Sequence, residues 1–210
     1  PELYEAEGAM IGAWVLAGLE ARAGEPLARR FDLVAGTSVG GLLALALAFE
    51  VPVAVVVTLF RERGSEIFSA RGLPTSRVGR LIDLTRAVLG PKYSGDALRK
   101  ALTEIFDGRR LADAKHDLVV PAVNVSLSQT KVFKTPHVDA STGDERVLAV
   151  DVAMATSAAP AYFPSAKVGR HLYADGGIFA VAPDQVALHE AEHFMGVPPE
   201  RVEMLSIGTA

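Results

Sequence analysis

The chemistry in this sequence gathers around one serine. Residues 31–50 read "FDLVAGTSVGGLLALALAFE", an apolar run, a glycine turn, and a second apolar run. Ser38 lies between Gly36 and Gly40 at the G-x-S-x-G spacing of a nucleophile elbow, and strand, sharp turn, helix is the context that motif requires. Small residues at 36 and 40 let the strand and helix backbones approach without Cβ clashes. A serine at the start of a helix meets free N–H groups and a dipole that favours negative charge, so the Val39 N–H is a candidate oxyanion donor. The competing reading is a capping serine in a glycine-rich turn or a phosphate cradle. A Walker P-loop is excluded because no G-x-x-x-x-G-K is present.

A serine hydroxyl is a poor nucleophile until a base takes its proton. Five histidines are available: His116, His137, His171, His189 and His193. His189 and His193 come late enough for a Ser-Asp-His order, but both sit inside the helical pattern "LHEAEH", where an exposed polar face explains them. The same stretch satisfies H-E-x-x-H, the zinc-protease helix. Gly196 fits its longer form, whereas Pro199 stands where that form needs a third histidine. The carboxylate candidate is Asp175 in "HLYADGGIFAVAP". It closes a short strand before Gly176 and Gly177, which permit tight turning and close packing of another backbone. An ordinary Asp-Gly turn is the alternative.

The surrounding elements have to bring these residues together. Helical spacing predicts a helix over 9–22, and "FDLVA" (31–35) reads as a short buried strand. A helix follows from Val39 to Phe49. Residues 52–63 carry a β-branched run, but Pro52 and the charged end favour a helix. Residues 76–90 read as an amphipathic helix. "ALRKALTEIF" is a helix with Ser94 and Asp96 as caps. Strands are predicted over 117–126, 130–136 and in "HLYADGG", and "RVEMLSIGT" reads as a final strand. "ERVLAVDVAMATS" and "APDQVALHEAEHFMG" read as helices. Alternation of strands and helices predicts an α/β layered fold with a mostly parallel sheet.

Composition narrows the function classes. The chain has 210 residues, half of them hydrophobic, enough for one domain with a substantial core. A net charge of −4 gives no basic field for nucleic acid. Absence of cysteine excludes disulfides and thiolate catalysis. The apolar run from Gly40 to Phe60 is long enough to raise a membrane span, but Glu50 and Pro52 interrupt it, which predicts two buried elements joined by a turn.

Three motifs in order, "GTSVGG" (36–41), "ATSAAPAYFP" (155–164) and "YADGG" (173–177), resemble the patatin-like phospholipases, and "LSIGT" is similar to the family's last shared strand. The resemblance implies a three-layer α/β/α fold over a single domain, residues 1–210. It implies a lipid acyl hydrolase that works with a Ser-Asp dyad, without a catalytic histidine, metal or cofactor. Ser38 is then the nucleophile and Asp175 the general base, with Gly36, Gly40, Gly176, Gly177 and Pro160 as structural positions of the motifs. The family's glycine-rich oxyanion loop corresponds to "YEAEGAMIG" (4–12), which keeps Gly8 and Gly12 but lacks the basic residue. The Gly8 and Ala9 N–H groups are the oxyanion donors expected there. The implied partner is a phospholipid or other acyl-lipid, met by transient contact with a membrane surface from the cytoplasm. The alternative is a catalytically weak lipid- or partner-binding domain with an impaired oxyanion loop. The "ALHEAEHFMGV" stretch is also similar to bacterial members switched on by cyclic nucleotides.

Overall fold

The computed structural model describes residues 2–68, 91–137 and 143–208, with side chains described from Met10 onward. The amphipathic segment predicted at 76–90 lies outside the described residues.

The chain opens with helix α1 (Glu2–Ala23), followed by the two-residue strand β1 (Val34–Ala35) and helix α2 (Val39–Ala48). In α2 every residue from Gly41 to Ala48 is buried. A helix that is apolar all round has no solvent face, and this one forms the centre of the core. The turn at Glu50 separates it from α3 (Val53–Ile67), so the long apolar run is two helices joined by a turn as expected, but only α2 is buried all round: α3 buries Val53, Val56, Phe60, Gly64 and Ile67 and leaves Val55 exposed. Among the described residues no helix is long and apolar enough to cross a membrane. Helix α4 (Asp96–Phe106) buries Leu98, Ala101, Leu102 and Phe106, a single stripe at helical spacing. Helix α5 (Ala149–Thr156) is short and almost wholly buried. Helix α6 (Asp184–His193) ends before Gly196, which has φ +68°.

Strands β2 (Leu118–Asn124), β3 (Gln129–Lys134), β4 (Ala166–Val168) and β5 (His171–Asp175) complete a five-stranded sheet ordered β1-β2-β5-β4, with β3 also on β2. β2 is nearly continuously buried, the pattern of a strand covered on both faces. Two features depart from the sequence expectation. The described sheet is mixed: β1 runs parallel to β2, whereas β3 and β5 on β2 and β4 on β5 are antiparallel. Short connections at 125–128 and 169–170 make hairpins, and a hairpin can join only antiparallel strands.

The second departure is the predicted final strand. Residues 202–208 carry no sheet ladder. Leu33, Ala35, Leu205 and Ile207 line the same two cavities, of about 460 and 170 Å³, and no ladder joins this segment to β1.

Buried charge fastens the outer elements. Glu190 of α6, 1% exposed, pairs with Lys134 of β3 and accepts from His137 Nε2 at 3.1 Å. His137 reaches Thr135 Oγ1 at 2.8 Å with its other ring nitrogen. Glu50 gathers Arg29 (2.6 Å), Lys115 (2.6 Å) and His116 (3.3 Å). These bonds hold the Glu50 carboxyl far below the usual carboxylate range, at about 2, with the Arg29 hydrogen bond the largest cause.

Candidate active site

Ser38 stands where β1 turns into α2, with φ 57° and ψ −127°. A non-glycine residue in the left-handed half of the map is strained by about 1–3 kcal/mol, a cost that recurs at functional sites. The turn closes because position 36 has no side chain. A Cβ at Gly36 would overlap the Gly40 carbonyl. The close approach expected at Gly40 belongs to its carbonyl instead; among the described residues a Cβ at Gly40 meets nothing within 4 Å.

Asp175 closes β5, in register opposite Ala122 of β2, and is buried. Its N–H donates to the Ala158 carbonyl at 3.0 Å. The Gly177 N–H donates to Asp175 Oδ1 at 2.7 Å, which fixes the carboxylate plane. Gly176 admits no Cβ, because one would overlap the Pro121 carbonyl of β2. Across the strand ends, Ser38 Oγ donates to Asp175 Oδ2 at 2.6 Å, 137 residues apart in sequence. Burial raises the Asp175 pKa above the ordinary value, while the bonds from Ser38 and Gly177 oppose that rise.

Thr156, buried at the last turn of α5, is a residue the sequence reading missed. Its Oγ1 accepts the Ser38 N–H at 3.0 Å and donates to the Pro121 carbonyl at 2.7 Å. One hydroxyl thus ties the nucleophile's backbone to the strand beside Asp175. Its only signal in the sequence was membership of "ATSAAPAYFP". In that segment Pro160 is exposed in a turn with Ala161 at φ 69°, and the Ala161 and Tyr162 carbonyls accept from Lys92 and Tyr93.

An apolar cavity of about 190 Å³ opens at Ser38, walled by Leu42, Phe60, Phe68, Tyr93 and Phe163. The rings of Phe68, Tyr93 and Phe163 pack edge-on or tilted against one another at 5.3–6.3 Å. Ser157 also borders this cavity. The α2 N-terminus faces the nucleophile. Gly41 and Leu42 donate their N–H groups to the Ser38 carbonyl, and the Val39 N–H, as the first of the helix, has no intrahelical acceptor.

The other expected donors are placed differently. Gly8 and Ala9 lie inside α1, where helix geometry directs each N–H to a carbonyl four residues earlier. They do not form a loop, because the helix begins before them. The histidines sit apart from the dyad: His116 on Glu50, His137 on Glu190, and His171 at the β4–β5 hairpin. His189 and His193 stack their rings at 4.2 Å on α6, while Glu190 between them turns inward to Lys134 and His137. Among the described residues no three His, Asp or Glu side chains converge closely enough to hold a metal ion.

A strained serine between a strand and a helix, bonded to a buried aspartate at another strand end, defines an α/β protein with a Ser-Asp pair at the edge of an apolar cavity. The chain belongs to the patatin-like phospholipase family, whose model matches residues 8–188. It is 44% identical over 198 residues to a cGAMP-activated phospholipase of Pseudomonas aeruginosa, covering 94% of this chain and 57% of that protein. A cGAMP-activated phospholipase of Escherichia coli is 35% identical over 187 residues, covering 85% and 50%. Patatin-like protein 1 of Oryza sativa subsp. indica is 30% identical over 202 residues, covering 85% and 47%. The chain spans about half the length of the curated relatives it matches.

Proposed function

We propose that this chain is a lipid acyl hydrolase that cleaves fatty-acyl esters of phospholipids, with Ser38 as nucleophile and Asp175 as general base. We read residues 1–210 as belonging to one patatin-like domain. The observation that carries the reading is the 2.6 Å bond to a buried carboxylate from Ser38 Oγ, whose residue lines an apolar cavity. That distance is within proton-transfer reach.

Ser38 Oγ attacks the ester carbonyl while its proton passes to Asp175 Oδ2. The carbonyl oxygen becomes an oxyanion beside the Val39 N–H at the positive end of α2. Collapse of the tetrahedral intermediate breaks the bond to the alcohol, which takes the proton from Asp175. Water then attacks the acyl-enzyme, gives its proton to Asp175, and releases the fatty acid as the proton returns to Ser38. Burial supports this role, because a carboxylate with a raised pKa is a better base. The acyl chain enters the cavity lined by Phe60, Phe68 and Phe163. Exposed Tyr162, Ile178, Phe179 and Val181 follow or flank the dyad in sequence and supply an apolar rim for a lipid surface.

Because three relatives carry the name cGAMP-activated phospholipase, we further propose that a cyclic dinucleotide switches this chain on. A second reading, a domain that binds lipid and turns over weakly, is favoured by the helical placement of Gly8 and Ala9. Fluorophosphonate labelling, mapped by mass spectrometry with and without the dinucleotide, separates the two. A hydrolase is labelled at Ser38 and releases fatty acid from phospholipid vesicles. Vesicle binding with no label under either condition sinks the hydrolase reading.

A further inference from the structure

A second cleft lies away from the dyad. Its volume is about 690 Å³, and it is framed by the β4–β5 hairpin, β3 and the start of α5. Four cationic side chains, Arg110, Lys131, Arg146 and Arg170, line it against two carboxylates, Asp144 and Asp151. Both carboxylates are engaged: Asp144 by Lys131 at 2.7 Å and Asp151 by Arg99 at 2.9 Å, the latter from outside the cleft wall. The three arginines therefore set the charge of the rim. Arg110 donates to the Arg146 carbonyl, and Arg146 itself is 87% exposed, with Glu145 only at 3.8 Å. Arg170 stands exposed in the β4–β5 turn. Deeper in the cleft, the Asn124 amide donates to the Tyr173 hydroxyl at 3.3 Å. Burial pushes the Tyr173 phenol pKa up, so it keeps its proton and remains a donor.

We infer that this cleft binds a phosphodiester ligand of dinucleotide size and is the site through which a cyclic dinucleotide acts on the dyad. The inference rests on the reading of the chain as a phospholipase with such an activator. Arginine forks match phosphate oxygens in pairs, and three of them around one cleft suit two phosphates better than a single small anion. The volume falls in the range of small-molecule sites.

The cleft is also joined mechanically to the dyad. Helix α5 starts beside it at Leu148 and Asp151 and ends at Thr156, whose hydroxyl holds the Ser38 N–H. Strand β5 starts in it at His171 and Tyr173 and ends at Asp175. A ligand that draws the hairpin toward α5 moves two rigid elements whose far ends carry the nucleophile's anchor and the base. Such a two-ended arrangement couples sites only if the ligand favours one arrangement over the other.

The test uses the full chain and three probes: cGAMP, inorganic phosphate, and phosphatidylglycerol vesicles. Calorimetric titration of the wild type and of the Arg146→Ala/Arg170→Ala double variant reads the site. The expected result is cGAMP binding that weakens at least tenfold in the double variant, with much weaker phosphate binding in both. The rate of fluorophosphonate labelling at Ser38 reads the coupling: cGAMP accelerates it in the wild type and not in the double variant, while the basal rates agree. Equal cGAMP affinity in the two proteins overturns the proposal. So does vesicle binding lost in the double variant when neither protein binds cGAMP, which assigns the arginines to lipid head groups. Failure of the hydrolase reading is distinguishable, because it removes labelling of wild-type Ser38 under every condition whatever the calorimetry shows.

Discussion

Asp175 carries its carboxylate among buried groups with two donors, the Ser38 hydroxyl and the Gly177 N–H. Its raised pKa sets a direction for pH dependence. The base must be ionised, so acyl release falls on acidification through a pKa above the ordinary aspartate value. A pH–rate profile on a soluble ester checks this. The same shift has the opposite consequence for folding: protonated Asp175 favours the native state, and that contribution is lost as pH rises through its folded pKa. Asp175→Asn therefore lowers turnover by about 10²–10⁴-fold, while its melting temperature at neutral pH equals or exceeds that of the wild type. A large loss of stability in this variant would count against the burial argument. Thr156 gives the complementary case. Thr156→Val leaves the Ser38 N–H and the Pro121 carbonyl without their partner, at a cost of about 1–3 kcal/mol for each buried group. Turnover and denaturant midpoint both fall, and Thr156→Ser, which retains the hydroxyl, restores most of each.

The elbow itself depends on which glycine is approached. Gly36→Ala forces a Cβ into the Gly40 carbonyl, which cannot withdraw without moving α2. Overpacking of this kind costs about 1–3 kcal/mol or more. Gly40→Ala meets no described residue at the first turn of α2 and leaves the unfolding midpoint unchanged or slightly higher. Chemical denaturation of both variants distinguishes the two glycines, which the motif alone treats as equivalent. Glu50 operates between elements, joining the end of α2 to Arg29 before β1 and to Lys115 and His116 before β2. With a folded pKa near 2, its contribution is present above the ordinary glutamate value and lost as pH falls toward 2. Thermal melts of Glu50→Gln against wild type should differ at neutral pH and converge in strong acid.

Across the molecule, α6 is held to the sheet by the buried Glu190–Lys134–His137 cluster rather than by a broad apolar face; Glu190 and Ala191 are its buried residues. Glu190→Ala strands Lys134 in a partly buried place and destabilises by about 3–5 kcal/mol, read as a lowered melting temperature. Local pattern was enough to predict the elements that depend on it: the all-apolar α2, the stripe of α4, the strand–turn–helix around Ser38, and the helical character of 52–63. It also marked Ser38 as a nucleophile candidate and Asp175 as a carboxylate candidate, the role of base coming from the family resemblance. What sequence spacing could not supply was contact between residues far apart in the chain. The H-E-x-x-H pattern gives no sign that Glu190 turns inward, and nothing in "ATSAAPAYFP" says which hydroxyl reaches the Ser38 backbone. The antiparallel pairing of β5 on β2 joins residues about 50 positions apart and is tertiary, and "RVEMLSIGT" has a strand's composition but carries no ladder. By itself the sequence determined local conformation and the chemical kinds available, because these depend on neighbours in the chain. Only the tertiary structure decided that Ser38 Oγ meets Asp175 Oδ2 at 2.6 Å, because a distance across 137 residues is set by how β1, β2 and β5 pack.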